Sequence, residues 1–295
     1  MKAIAHKIYD ALPLKRRAFQ MIRSRVSLPE SVYRHLGFRG EFDVQVGPGA
    51  SFKLMSHGFI VENELFWAGF GNSWEAQSLR IWACLARTAN CIVDIGANTG
   101  VYSLTARSVN KTAEVVSFEP VQRIYGRLNE NIELNRFRIR LERKAVSDRQ
   151  GVLPIYDSVG THSYSASLEP DFVPENVSKS LVDVVRLDEF VAEAGLATPD
   201  LLKIDVEGHE PAVLRGMSGI FEKTRPAMLI EVLDDAVGAQ LDDILQRFSY
   251  LKFGIDEQAG LRRSEKILPM GGHNWNNLLC TQEQFERSGL QDFLT

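Results

Sequence analysis

The chain has 295 residues, 44% of them hydrophobic, and a formal net charge of -4. These values allow one large α/β domain plus an additional segment and supply no basic surface for DNA or RNA. Three cysteines, Cys84, Cys91 and Cys280, lack the paired spacing of a zinc or redox motif and point to a reduced, cytoplasmic setting.

No apolar run reaches the ~20 residues that span a bilayer, and His6, Lys7 and Asp10 interrupt any signal-peptide core at the N-terminus. That terminus is nevertheless basic: Lys2, Lys7, Lys15, Arg16, Arg17, Arg23 and Arg25 face only Asp10 before Glu30, with Ile4, Ile8, Leu12, Phe19 and Ile22 interspersed. The pattern leaves open a peripheral contact with an anionic membrane surface. Pro13 breaks the helix and shortens the apolar stripe, so a helix packed on its own domain is the preferred reading.

Residues 28–75 carry short alternating runs, 41–46 and 51–54, separated by Gly47-Pro48-Gly49 and His57-Gly58. Residues 1–75 are therefore read as a helical and β-rich extension, with the acceptor side of a site as the place it covers. From Trp74 the pattern turns helical, and from Cys91 strand-like and helical runs alternate as in a parallel sheet. The strands expected across 76–295 are 91–95, 114–118, 139–145, 201–205, 227–232, 251–255 and 276–280. An insertion, 151–185, is too long for an ordinary connection and is read as a lid or binding segment.

Three motifs carry chemistry. In the run from Cys91 to Leu104, a buried strand ends in Asp94-Ile95-Gly96-Ala97-Asn98-Thr99-Gly100 and opens a helix. Gly96 and Gly100 allow a tight turn beside a ligand, and the helix start supplies free N–H groups. Asn98 stands where the dinucleotide fingerprint needs its second glycine, which disfavours a pyrophosphate. Asp94 suits a ligand ammonium group. Glu119 ends the next strand about 20 residues after the turn, the placement of a ribose-binding acid. Asp205, Glu207, His209 and Glu210 crowd one loop after the fourth expected strand, at the sheet edge where ligands of such folds bind.

The chain resembles FkbM-type methyltransferases through VDIGANTG at 93–100, SFEP at 117–120, AVSD at 145–148 and LLKIDVEGHE at 201–210. The resemblance implies a class I, Rossmann-like seven-stranded sheet with helices on both faces and S-adenosylmethionine as cofactor. It also implies O-methylation of a sugar or natural-product hydroxyl, so the partner is a small-molecule or glycan acceptor. By the same resemblance Asp94, Gly96, Asn98 and Gly100 line the methionine part of the cofactor and Glu119 the ribose, while Asp148 is either an adenine-amine acceptor or a turn residue.

A protonated hydroxyl is a poor nucleophile, so Asp205, Glu207 and His209 are the candidate bases. A metal-free base is preferred to a Mg²⁺ held by Asp205, Glu207 and Glu231, because no ligand spacing demands the ion. His57, Glu75, His162, His273 and Asn274 are further polar candidates, and Trp67, Trp74 and Trp275 are either sugar platforms or core. Two other readings stay open: a nicotinamide-dependent oxidoreductase, and a non-catalytic protein that keeps the cofactor fold.

Overall fold

Hydrophobic runs that are buried on both faces have to sit inside a sheet, and 91–95 is such a run: all five of its residues are buried. The computed structural model describes residues 15–23, 25–26, 28–158, 166–169, 177–272 and 274–295. His162, His273 and the basic stretch before Lys15 lie outside the described residues.

The extension runs α1 (Lys15–Arg23), α2 (Glu30–Tyr33), β1 (Gly40–Gly47), β2 (Ala50–Ser56) and α3 (Ile60–Trp67). There follow α4 (Ala76–Ala86), β3 (Cys91–Ile95), α5 (Val101–Val109), β4 (Glu114–Phe118), α6 (Gln122–Asn135), β5 (Arg140–Glu142) and β6 (Ala145–Val146). The insertion contains β7 (Gly151–Ser158), β8 (Ala166–Ser167) and β9 (Val177–Val185). The chain continues through α7 (Leu187–Glu193), β10 (Leu201–Ile204), α8 (Glu210–Arg215), α9 (Ser218–Lys223), β11 (Ala227–Glu231) and α10 (Asp235–Leu245). It closes with β12 (Leu251–Asp256), β13 (Gly260–Ser264), β14 (Asn276–Cys280) and α11 (Gln282–Arg287).

The central sheet has the order β13-β12-β14-β11-β10-β3-β4-β5. From β5 to β11 the neighbours are parallel, and β14 runs antiparallel between β11 and β12. Two points differ from the sequence expectation. The sheet has eight strands rather than seven, because β13 returns on β12 as an antiparallel hairpin. Its sequence, GLRRS, has no alternating apolar pattern, and its charged Arg262 and Arg263 suit an edge that must not recruit another strand. The expected strand 139–145 also divides: β5 stays in the central sheet, while β6 turns away to pair with β9. Together β6, β9, β7 and β8 form a separate four-stranded sheet.

Strand periodicity assigns the two faces. Ile92, Leu201 and Leu229 face a core shared with α4 and α5, including Trp82, which packs edge-on against Tyr102 at 5.5 Å between ring centroids. Val93, Leu202 and Ile230 face the opposite core under α7 to α10, with Phe190, Leu214, Phe221 and Leu241. Each such fully buried aliphatic side chain contributes about 1.5–3 kcal/mol.

The extension joins the first of these cores through an aromatic cluster in which Phe38 lies 4.5 Å from Phe66 and Phe19 of α1 lies 5.2 Å from Trp67. Strand β2 is held on α6 by two asparagines: Asn135 accepts from the Lys53 N–H at 2.6 Å and Asn131 from the Met55 N–H at 2.8 Å. Asn131 also donates to the Thr99 carbonyl at 2.9 Å, so the extension braces the glycine turn. Among the described residues no helix is long and apolar enough to cross a membrane.

Candidate active site

The glycine turn is built by close approach. Gly96 has φ +79°, and a Cβ there would lie 1.8 Å from the Asp205 carbonyl oxygen, so only glycine fits between β3 and the loop after β10. Gly96 and Ala97 donate to the Phe118 carbonyl at 3.0 and 2.9 Å, which ties the turn to the end of β4. Asn98 takes φ +52°, a conformation asparagine tolerates, and its side chain accepts from the Thr99 N–H at 2.8 Å. Its own N–H donates to Glu119 Oε2 at 3.1 Å.

Gly96, Asn98, Glu119, Asp205, Glu207 and His209 line one cavity. Ile155, Ala166 and Leu168 of the insertion complete its wall. Glu119 is buried, and its second oxygen accepts from the Val121 N–H at 2.9 Å. Burial pushes its carboxyl up to about 8, against the opposing pull of those two backbone donors. Each oxygen keeps a lone pair for a ligand hydroxyl, which is the acceptor set a vicinal diol needs.

Three residues expected at the ligand do not line this cavity. Asp94 points into the sheet face, where Ser103 Oγ donates to it at 2.5 Å and burial pushes its carboxyl up to about 6. Gly100 serves as the N-cap of α5 at φ +92°, where a Cβ would meet Leu128 Cδ1 at 2.2 Å. Asp148 pairs with Arg149 at 2.8 Å and Arg215 at 3.5 Å, and the Arg149 bond holds its carboxyl below the ordinary range. Its neighbour Ser147 is the one that faces the loop, with Oγ 3.0 Å from His209 Nε2. The other ring nitrogen, Nδ1, lies 2.7 Å from Glu169, so both nitrogens of His209 are engaged.

The loop after β10 is shaped by Glu207 and Gly208, at φ +54° and +94°. The buried Glu210 accepts from the Val206 and Gly208 N–H groups at 3.1 and 3.2 Å and is pushed up to about 7 by its burial. Ser167 of β8 donates to the Glu207 carbonyl at 2.6 Å, latching the insertion to this loop.

Sequence reasoning missed Lys203. It is 1% exposed, its Nζ donates to Asp205 Oδ2 at 2.9 Å and Asn276 Oδ1 at 3.3 Å, and it lies 5.0 Å from the Tyr102 ring centroid. The available signal was a charge inside the otherwise apolar strand LLKI. Glu75 belongs to the same network, accepting from Tyr102 Oη at 2.7 Å and Asn276 Nδ2 at 2.9 Å. Glu231 is hydrogen-bonded to Asp205, and burial first, then the charges of Asp205 and Glu207, push its carboxyl above the ordinary carboxylate range.

Beyond that pair opens a groove lined by Trp74, Glu75, Glu231, Glu257, Asn274 and Trp275, among others. Asp205 thus lines the cavity and Glu231 the groove. His57 sits apart, bonded to Glu130 at 2.8 Å, and Trp67 belongs to the aromatic core, with its indole N–H on the Leu36 carbonyl.

A parallel sheet in this order, with one antiparallel strand between β11 and β12 and a glycine turn facing an acid at the end of β4, defines the class I methyltransferase fold. The model of the Methyltransferase FkbM domain matches residues 94–257, and the chain belongs to that family. It is 31% identical over 157 residues to the 31-O-demethyl-FK506 methyltransferase FkbM of Streptomyces tacrolimicus, a match covering 44% of this chain and 60% of that one. To the 2-O-methyltransferase NoeI of Sinorhizobium fredii it is 31% identical, over 50% of this chain and 65% of that one. To the hexuronic acid methyltransferase AglP of Haloferax volcanii it is 26% identical, over 66% and 75%. The chain thus spans under two thirds of the first two relatives. A crystal structure of an FkbM methyltransferase from Methylobacillus flagellatus aligns with a TM-score of 0.43 at 16% identity, covering 90% of this chain and 58% of that one.

Proposed function

We propose that the chain is an S-adenosylmethionine-dependent O-methyltransferase whose acceptor is a hydroxyl of a sugar or natural product. The observation that carries this reading is the Asp205–Glu231 carboxyl pair, which stands between the cavity lined by Glu119 and a wide polar groove. In the cavity, Glu119 and the Asn98 turn would hold the cofactor, which when bound supplies an electrophilic methyl on a sulfonium. The chain's own task is to align an acceptor oxygen with that methyl, exclude water and take a proton.

Asp205 is the proton acceptor in this reading, because its side chain is 29% exposed toward the cavity. Glu207 is a second carboxylate on the same wall. Glu231 lines the groove beside Asp205. Glu30, Glu64 and residues 71–75 of the extension line the groove, which supports the extension as the acceptor-side cover, whereas residues of the insertion line the cavity. The reaction is assigned to a reducing cytoplasm, in keeping with three free cysteines.

Charge on the groove narrows the acceptor. Glu30, Glu64, Glu75, Glu231, Asp256 and Glu257 line it, with Arg80 as the cation among the described lining residues. Neutral or amine-bearing hydroxyl compounds are expected to react, and hexuronates to react roughly tenfold or more slowly. The test incubates the protein and methyl-labelled cofactor with neutral, amino and uronic sugars and with fractionated cell extracts, followed by mass spectrometry of labelled products. Label on nitrogen or carbon, or a preference for hexuronates, would refute the corresponding part of the assignment.

Glu119→Ala is expected to weaken S-adenosylhomocysteine binding by about 1–3 kcal/mol through the lost ribose contacts. The wild-type carboxyl is protonated below about 8, and ribose hydroxyls bind its ionised form, so binding releases a proton and tightens as pH rises toward 8. Calorimetry across pH 6 to 8 should find that this component disappears in the variant. An unchanged affinity and pH slope would remove Glu119 from the site.

A further inference from the structure

Buried lysines are expensive, and the neighbours of Lys203 along its own strand, Leu201, Leu202 and Ile204, show what this position ordinarily takes. Across the sheet its register partners are Asp94 on β3 and Leu229 on β11. A methionine would fill the space without desolvating a charge, and such replacements of buried ion pairs are often neutral or stabilising. The ammonium therefore needs a reason other than packing.

Its surroundings supply one. Nζ meets Asp205 Oδ2, Asn276 Oδ1 and the Tyr102 ring face, so each of its polar contacts is fixed by a different element. Only 1% of the lysine side chain is exposed, against 29% of the aspartate it holds: the cation stands behind the carboxylate and the carboxylate faces the cavity.

From this geometry we infer that Lys203 is a positioning residue for methyl transfer, whose buried ammonium fixes the Asp205 carboxylate in the orientation and charge of a base. The role rests on Asp205 being the proton acceptor. Lys203 binds Asp205 through Oδ2, one of the two oxygens the carboxylate offers.

The groups that bear on Asp205 are mostly acidic. Glu75 precedes α4, Asp94 lies on β3, Tyr102 on α5, Glu231 on β11, and Glu207 and Glu210 on its own loop and the helix that follows. Lys203 is the buried cation among them. Its burial alone would lower its pKa, but Asp205, Glu75 and Glu231 outweigh this and raise it, so the ammonium stays charged at any working pH. Without it, Asp205 would stand among carboxyl groups alone, surroundings that disfavour a charged carboxylate.

The experiment compares wild type with Lys203→Met and Lys203→Gln in turnover against pH, with Asp205→Asn as the second arm of a double-mutant cycle. The acid limb of kcat is expected to move upward by about one pH unit or more in the neutral variants. Turnover should fall about tenfold at pH 7 and recover toward the wild-type value at alkaline pH. S-adenosylhomocysteine affinity should hold, and Lys203→Met should cost nothing further in the Asp205→Asn background.

A loss equal at every pH, or additive with Asp205→Asn, would mean that Lys203 only supports the fold and would overturn the inference. If the neutral variants do not fold, Lys203→Arg keeps the charge and must keep the wild-type limb; an upward shift in it would be equally fatal. Full turnover in Asp205→Asn alone would instead defeat the reading of Asp205 as base, and this role with it.

Discussion

Asp205→Asn is expected to lower turnover by about 100-fold or more while leaving S-adenosylhomocysteine affinity nearly unchanged. The substitution keeps the side chain's shape and removes its basicity. Asp205 is anchored on both sides of the side chain, by its N–H on the Ile95 carbonyl at 3.0 Å and by its Oδ2 on Lys203, so an amide in its place stays in register. Single-turnover measurements separate proton removal from product release. Normal turnover in Asp205→Asn together with loss in His209→Gln would move the base to the histidine, and activity in both variants would leave alignment alone as the source of catalysis.

Gly96→Ala should have the largest effect on stability. The added Cβ would sit 1.8 Å from the Asp205 carbonyl oxygen, a backbone atom that cannot swing aside, and alanine at φ +79° is strained in any case. Strain and overpacking together suggest a loss of about 3 kcal/mol or more. Thermal and urea denaturation should both register it, with a fall in Tm on the order of 6–12 °C. The strands that lead into the glycine turn and the Asp205 loop, β3 and β10, meet at this contact, so the residual folded fraction should also bind S-adenosylhomocysteine poorly. A stable alanine variant would mean that the two backbones can separate at no cost.

Patterns local in sequence were legible, and pairings across the chain were not. Periodicity located β3, β4, β10, β11, β12 and β14 to within about one residue, because each is an apolar run bounded by turn residues. β13 was invisible because an exposed edge strand carries arginines instead of an apolar face. Among the site residues, Gly96, Asn98 and Glu119 announced themselves by spacing, and the structure gathers them with Asp205, Glu207 and His209 on one cavity. Asp148 could equally be a turn acid, and the arginines that draw it aside, Arg149 and Arg215, could be recognised only in space. The network behind Asp205 was hidden for a related reason: the Asn276–Glu75 hydrogen bond joins residues 201 positions apart.

The position of β14 bears on how the chain can be made. Its antiparallel strand lies between β11 and β12, both of which leave the ribosome before it. Until residue 280 has emerged, the nascent sheet has two open edges facing each other across an empty slot, and Lys203 lacks the Asn276 carbonyl that receives its ammonium. Vectorial synthesis therefore cannot complete this domain strand by strand. The sheet closes by threading a late segment into its interior, and a nascent chain stalled before that segment would present those edges to chaperones and to other unfinished copies.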